Sequence, residues 1–100
     1  MGAFRAGNRR TLSVTLRLPP TLADRIGVAR VAVRAASVKN CLEELVALHP
    51  ELIRMIWLRA GELNPVMLLF VNDALQRPVN FSRMLIDGDE LDIVPSIEAG

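Results

Sequence analysis

Residues 86–100 have the sequence IDGDELDIVPSIEAG, and the rest of the chain can be interpreted from this stretch outward. Asp87-Gly88 is a strong turn dipeptide, because both residues favour the backbone conformations that turns require. Polar and apolar residues then alternate over 90–94, which is typical of a half-buried strand. Pro95 ends this strand, and residues 96–100 follow as a tail that no hydrophobic core needs. We therefore expect the tail to be the active part of the protein and the preceding residues to form the folded domain that carries it.

Two segments near the start of the chain alternate in the same way. In residues 11–18 the apolar side chains of Val14 and Leu16 fall on one face, which indicates a half-buried strand. Residues 28–35 alternate similarly, and a short connection over 21–27 joins the two segments. Two strands with a brief link predict an antiparallel hairpin.

A helix is predicted from Ser37 onward, because serine is a favoured N-cap residue and the apolar residues after it recur at helical spacing. These apolar residues are Val38, Cys41, Leu42, Leu45, Val46 and Leu48. His49 ends the helix, since the residue before a proline is disfavoured in the α conformation. Cys41 lies on the apolar stripe and is expected to be a core residue rather than a reactive thiol.

The continuous apolar run over 66–71 predicts a central strand that is covered on both sides. Alternation places Leu68 and Phe70 on the face away from the helix. Either a partner protein or the chain's own loops would cover that face. If a partner covers it, Leu68 and Phe70 belong to a docking surface.

The remaining segments have weaker patterns. Residues 51–57 are predicted to continue the helix by a further turn, and residues 59–65 to form a loop. A short edge strand is expected over 75–79, where Pro78 breaks it. Residues 82–85 are expected to form a single helical turn ahead of the Asp87-Gly88 dipeptide.

This order of elements predicts an α+β domain in which one main helix packs on one face of a mixed sheet of four to five strands. We place the domain at residues 11–95. Residues 1–10 would be a flexible N-terminal arm, and residues 96–100 a flexible C-terminal tail. A chain of 100 residues is long enough for one such domain.

The composition disfavours several functions. The chain has one cysteine, so it cannot form an internal disulfide, and this fits the reducing environment of the cytoplasm, where we expect the protein to be located. With one cysteine and one histidine, the sequence gives no support to a metal site. No apolar run approaches the roughly 18 residues of a membrane span, and no serine stands in a nucleophile motif. A net charge of +1 gives no indication of nucleic-acid binding.

The charges are unevenly distributed along the chain. Residues 1–39 carry eight bases and one acid, whereas residues 84–100 carry five acids and no base. Either the two ends complement each other in the fold, or the acids near the end of the chain form an acidic docking face.

Three segments, in their order and spacing, carry a resemblance to a known family. They are SVKNCLEEL at 37–45, FVN at 70–72 and LIDGDELDIVP at 85–95, and a tail with glycine at its last position follows. Together they make residues 12–100 similar to the MoaD/ThiS family of ubiquitin-like sulfur carriers, which have the β-grasp fold. The segment 51–65 is more like the longer MoaD-type members than the compact ThiS type.

The resemblance implies a carrier rather than an enzyme. In the family, a ubiquitin-activating-like adenylyltransferase uses ATP to adenylate the C-terminal carboxylate, and sulfur then replaces the adenylate to give a thiocarboxylate. MoaD-type members deliver that sulfur as the small subunit of molybdopterin synthase, with the large subunit as partner, and no bound cofactor of their own is implied. If the roles known in the family apply to this chain, the reactive residue is Gly100. The tail residues are then Ser96, Ile97, Glu98 and Ala99, and the partner-binding residues are Leu68, Phe70 and Val94.

The chain departs from the family at one tail position. The family motif ends in Gly-Gly, whereas this sequence has Ala99-Gly100, and the added methyl group narrows the backbone conformations at residue 99. Three other functions fit the same residues. They are a β-grasp interaction module without carrier chemistry, a sulfur carrier for thiamine or cysteine biosynthesis, and a ubiquitin-like modifier that forms isopeptide bonds to lysines.

Overall fold

The strand predicted at 90–94 lies at the centre of the sheet in the computed structural model, which describes residues 13–96. The predicted arm at 1–10 and the tail residues 97–100 lie outside the described residues. The elements in chain order are β1 (Ser13–Arg17), α1 (Pro20–Ile26), β2 (Arg30–Arg34), α2 (Val38–Leu48), a 3₁₀ turn (Pro50–Leu52), α3 (Ile53–Ile56), β3 (Trp57–Arg59), β4 (Glu62–Leu63), β5 (Met67–Val71), β6 (Ala74–Leu75) and β7 (Glu90–Pro95).

The main sheet has five strands in the order β2-β1-β7-β5-β6. The pair β1 and β7 is parallel, with Thr15 opposite Glu90, whereas the other three pairs are antiparallel. The predicted hairpin of two N-terminal strands is confirmed as β1 and β2, although a helix joins them. The predicted α+β architecture, a mixed sheet with one main helix on one face, is also confirmed.

The core lies between α2 and one face of this sheet. Along β5 and β7 every second residue is buried, as the alternation of the sequence predicts. Leu16, Leu69 and Leu91 are fully buried, and so are Leu42 and Leu45 of α2. Burial of such a side chain stabilises the fold by about 1.5–3 kcal/mol, so this single layer of leucines supplies much of the stability of the domain.

Both ends of α2 were predicted correctly. Ser37 has extended backbone angles, and its Oγ accepts a hydrogen bond of 3.1 Å from the backbone N–H of Asn40. This bond satisfies one of the N–H groups that have no partner within the first turn of a helix. His49 ends the helix and donates its backbone N–H to the carbonyl of Leu45.

The connection predicted over 21–27 is wrong, because residues 20–26 form helix α1. Pro20 occupies the first turn, where a backbone N–H would have no intrahelical partner in any case. Leu22 is fully buried and anchors the helix, and Gly27 ends it with a positive φ of 82°. Seven residues with one buried side chain are too few for a helical period to be visible in the sequence.

The loop predicted over 59–65 is also wrong in part. Residues 57–59 and 62–63 pair as the small hairpin β3–β4, in which Trp57 lies opposite Leu63. The further helical turn expected over 51–57 is present as the 3₁₀ turn and α3, but it ends at Ile56. A two-residue strand such as β4 has too few positions to show an alternating pattern.

Two predictions about the segment before β7 need correction. The edge strand expected over 75–79 is only Ala74–Leu75. The helical turn expected over 82–85 is absent: Met84 forms an isolated bridge with Ser37, and the backbone N–H of Leu85 donates to the carbonyl of Ala36. Leu85 is buried there, so packing against the start of α2 decides the backbone conformation of this segment.

Cys41 is fully buried in the core, as predicted. Burial raises the pKa of its thiol to about 12, and the reactive thiolate is therefore rare at neutral pH. No helix within residues 13–96 is long and apolar enough to cross a membrane.

We predict that Leu69→Ala lowers the free energy of unfolding by about 2–5 kcal/mol, because it leaves a cavity between the sheet and α2. The matched control is Leu75→Ala, which removes the same atoms from a side chain that is 46% exposed. Its cost should stay below about 1 kcal/mol. Urea unfolding of both variants measures the difference, and equal losses would contradict the core described above.

Candidate docking face and carrier tail

The sheet face opposite α2 carries the three residues for which the resemblance implies partner binding. Leu68, Phe70 and Val94 all point to this face, and each remains partly accessible to solvent. Leu68 lies directly opposite Val94, and Phe70 lies opposite Leu75 of β6. Side chains at such opposed positions are in contact range. The four residues Leu68, Phe70, Leu75 and Val94 therefore form one continuous surface, which we call the apolar patch.

Leu75 is the member of the apolar patch that the sequence did not single out. It is 46% exposed and stands on the edge strand β6. Its position was included in a predicted edge strand, but its face depends on the register with β5. That register follows from the tight turn at Asn72 and Asp73, whose positive φ angles are 47° and 71°. A sequence signal was present in the Asn-Asp pair, since both residue types tolerate this conformation.

The same sheet face is charged on its other half. Arg17 of β1 forms an ion pair with Glu90 at 3.0 Å between Nη1 and Oε1, and a second with Asp92 at 3.4 Å between Nε and Oδ1. The hydrogen bond that Arg17 donates to Glu90 and the negative charge of Asp92 raise the pKa of Arg17. These contacts show that a base near the start of the chain and acids near its end do complement each other in the fold.

Within residues 13–96, Asp92 is the one residue of this face with a buried side-chain oxygen that accepts no hydrogen bond. Its Oδ1 is buried and accepts no hydrogen bond there, although the Arg17 guanidinium is near. Burial raises the pKa of Asp92, and the attraction of Arg17 opposes that rise without cancelling it. Because Asp92 lies opposite Phe70 in the register of β5 and β7, this carboxylate stands at the boundary between the charged and apolar halves.

The candidate tail begins at the end of the central strand. Pro95 lies opposite Met67, and the backbone N–H of Ser96 donates to the carbonyl of Val66 at 2.6 Å. Ser96 is therefore still held by the sheet, next to the Leu68–Val94 end of the apolar patch. The other predicted tail residues, Ile97, Glu98, Ala99 and Gly100, lie outside the described residues.

The turn between β5 and β6 is tied to the start of β7. Asn72 donates from Nδ2 to Asp89 Oδ1 at 2.9 Å, and its Oδ1 accepts the backbone N–H of Glu90 at 2.9 Å. Asp89 Oδ2 accepts the backbone N–H of Ile86 at 2.9 Å. These bonds hold the apolar patch on its scaffold, because they connect the strands that carry its residues. The sequence predicted a turn at the neighbouring Asp87-Gly88 dipeptide, but it did not predict these hydrogen bonds.

The hydrogen bonds to Asp89 also change its electrostatics. The hydrogen bond from Ile86, and after it the one from Asn72, lowers its pKa below the ordinary value for aspartate. Both bonds favour the ionised carboxylate, which accepts them. Within residues 13–96, no three His, Cys, Asp or Glu side chains group closely enough to hold a metal ion.

Comparison with known proteins gives matches among solved structures. No family model and no curated protein matches the chain. The crystal structure of SAMP1 from Haloferax volcanii has 27% sequence identity and a TM-score of 0.75, over 88% of this chain and 99% of that one. The Amycolatopsis orientalis BexX/CysO complex has 25% identity and a TM-score of 0.72, over 83% and 94%. A putative molybdopterin converting factor, subunit 1, from Pyrococcus furiosus has 18% identity and a TM-score of 0.66, over 85% and 98%.

These matches show that the fold is the β-grasp of ubiquitin-like proteins, as the resemblance implied. The matched proteins are small ubiquitin-like carriers and modifiers, which is the broad class expected from the sequence. They do not single out the MoaD type, because the Pyrococcus match is too distant in sequence to show more than the fold.

We predict that Asp89→Asn lowers the free energy of unfolding at pH 7 by about 1–2 kcal/mol, since an amide cannot accept both hydrogen bonds. The folded-state pKa of Asp89 lies below its unfolded value. The stabilisation is therefore complete above the ordinary aspartate pKa of about 3.9 and disappears as the pH falls through the folded-state value. Denaturant unfolding between pH 7 and pH 3 should show the difference between the two proteins shrinking.

The control for this measurement is Asp24→Asn on the exposed side of α1. It should change the free energy of unfolding by no more than about 0.5 kcal/mol. A loss for Asp89→Asn that stays constant down to pH 3 would contradict the role assigned to the ionised carboxylate.

Proposed function

We propose that the chain is a sulfur carrier whose reactive group is the carboxyl group of Gly100. A ubiquitin-activating-like adenylyltransferase would adenylate this group with ATP, and a sulfur donor would convert it to a thiocarboxylate. A partner enzyme would then accept the sulfur. By the sequence resemblance, that partner is the molybdopterin synthase large subunit, and the pathway is biosynthesis of the molybdenum cofactor.

The observation that carries the proposal is that the tail begins at Ser96, beside the apolar patch. Ser96 directly follows the central strand and donates its backbone N–H to the carbonyl of Val66, and Leu68 and Val94 lie nearby on the open sheet face. Residues 97–100 can span at most about 14 Å. An enzyme that binds the apolar patch would therefore have the end of the tail within reach of a site on its own surface.

The chemistry explains why a carrier of this kind needs a partner. A carboxylate is a poor acyl donor, so one of its oxygens first attacks the α-phosphorus of ATP, and pyrophosphate leaves. A sulfur nucleophile then attacks the acyl carbon and expels AMP. Within the carrier, glycine at residue 100 offers the least steric hindrance at that carbon, because it has no Cβ.

Similarity to known structures supports the class of the carrier more than its pathway. Matches with at least 25% identity include SAMP1, a small archaeal modifier protein, and CysO in complex with BexX. The second of these is a precedent for a β-grasp protein that docks on a partner. The molybdopterin assignment rests on the sequence resemblance, above all on the length of the segment 51–65.

The SAMP1 match also favours a second candidate function, that of a ubiquitin-like modifier. Such a modifier would use the same activated Gly100 but transfer it to a lysine amine, so that an isopeptide bond forms and AMP or a thiol leaves. Cells that carry a tagged copy of the chain should then contain higher-mass conjugates, which a carrier does not form.

The direct test is incubation of the purified chain with ATP and a MoaD- or ThiS-type activating enzyme, followed by intact-mass measurement. We expect the acyl-adenylate first and, after addition of a sulfur source, the mass gain for replacement of one oxygen by sulfur. Ala99→Gly should react at least as fast, because it restores the flexibility of the Gly-Gly end. A chain without Ala99 and Gly100 is the control and should not react.

Absence of any mass change with every activating enzyme tried would contradict the carrier proposal and the modifier alternative alike. If the shortened chain binds its partner as tightly as the complete chain and keeps its function, the protein is an interaction module instead. Intact mass of the protein from its natural source establishes which residue carries the terminal carboxylate.

The apolar patch is tested by Phe70→Ser. We expect the KM of the activating enzyme for the carrier to rise about tenfold, as for a central interface residue, with little change in kcat once the carrier is bound. The matched control is Leu48→Ser on α2, where the side chain is 54% exposed away from the patch. Equal KM values for the two variants would contradict binding of the activating enzyme at the apolar patch.

A further inference from the structure

A concave surface lies on the helix side of the domain, away from the apolar patch. It is a groove with a volume of about 860 Å³. Four large apolar side chains line it, namely Ile53, Trp57, Leu58 and Phe81. Neither the carrier chemistry nor docking at the sheet face uses this groove.

Two of the large apolar side chains that line the groove are about half exposed to solvent. Ile53 is 49% exposed and Leu58 50% exposed, although both lie in a domain with a well-formed core. Behind them, the rings of Trp57 and Phe81 stack at a centroid distance of 5.7 Å with a tilt of 39°. Contiguous apolar surface in a concave setting is typical of a binding site for another molecule.

Backbone hydrogen bonds hold both walls of the groove in place. On one side, Asn64 donates its side-chain amide to the carbonyl of Met55 and its backbone N–H to that of Ile56, which secures the β3–β4 hairpin. On the other side, the backbone N–H groups of Val38 and Lys39 donate to the carbonyls of Arg83 and Phe81. The groove is therefore preformed, so a ligand need not order it on binding.

The charges around the groove indicate what kind of ligand fits. Lys39, Arg54 and Arg59 line it together with a single acid, Glu43. Lys39 pairs with Glu43 at 3.9 Å, and Arg59 pairs at 3.3 Å with Glu62 outside the lining. Both pairs are well exposed to solvent, so a ligand can compete for these cations at little cost. Arg54 has no ion-pair partner within residues 13–96.

From this combination we propose that the groove binds an acidic, leucine- or phenylalanine-containing segment of a partner protein. The apolar side chains of the segment would cover Trp57, Ile53 and Leu58, and its carboxylates would face Arg54, Arg59 and Lys39. Because the groove and the apolar patch lie on opposite sides of the sheet, both can be occupied at once. The inference does not depend on the proposed carrier function.

The chain provides its own reporter for the test, since Trp57 is its single tryptophan. The probe is a synthetic peptide without tryptophan or tyrosine, acetyl-EDLLEELFDE-amide, titrated into the full-length chain. We expect a saturable change in Trp57 emission. The neutral analogue, acetyl-QNLLQQLFNQ-amide, should bind at least about tenfold more weakly, because it loses the charge complementarity.

Two pairs of variants locate the site. Arg54→Glu with Arg59→Glu should weaken binding of the acidic peptide about tenfold or more, whereas Arg25→Glu with Arg34→Glu, the same charge change outside the groove, should alter it less than about twofold. Leu58→Ser should weaken binding and Leu48→Ser should not. Thermal unfolding of each variant shows that it is folded.

Three results would overturn the proposal. The first is the absence of a saturable change in Trp57 emission up to about 1 mM acidic peptide. The second is equal affinity for the acidic and neutral peptides, or equal losses for the two arginine pairs. The third is a Trp57 emission that changes with the concentration of the protein alone, since a second copy of the chain would then occupy the groove.

Discussion

The parallel pairing of β1 with β7 is the contact on which the rest of the molecule depends. Thr15, Leu16 and Arg17 lie opposite Glu90, Leu91 and Asp92, and the backbone N–H of Thr15 donates to the carbonyl of Asp89 at 3.1 Å. This pairing joins the N-terminal hairpin of β1 and β2 to the strands β7, β5 and β6, and it makes β7 central. A parallel pair needs a long crossover connection, and here that connection contains α2, the helix that covers the core.

Several properties of the candidate site follow from the central position of β7. Its outward residues Asp92 and Val94 stand in the middle of the open sheet face, between Arg17 on one side and the apolar residues of β5 on the other. The same strand carries the chain to Ser96 and the tail. The long crossover also contains Trp57 and Leu58, which line the groove on the helix side. One topology thus presents two separate surfaces with different chemistry.

Sequence patterns predicted the long elements well and the short ones poorly. The alternation over 90–94 and the helical spacing from Val38 gave the correct faces and nearly the correct ends, because each element buries several side chains at one period. Helix α1 and the β3–β4 hairpin were missed, since each is shaped by one or two contacts, such as the burial of Leu22 and the pairing of Trp57 with Leu63. Within the site, Leu68 and Phe70 were assigned to the open face correctly, whereas Leu75 and the Asn72–Asp89 bonds were not recognised.

The sequence by itself determined the α+β class and the core side chains of β5, α2 and β7. These features are encoded locally, because periodicity and turn residues act within a few positions. Only the tertiary structure decided the order of the strands, the ion pairs of Arg17 with Glu90 and Asp92, and the groove at Trp57 and Phe81. Each of these depends on residues that are distant in the sequence, such as Thr15 and Glu90, Arg17 and Asp92, or Trp57 and Phe81. No local pattern in the sequence specifies which distant residues the folded chain brings together.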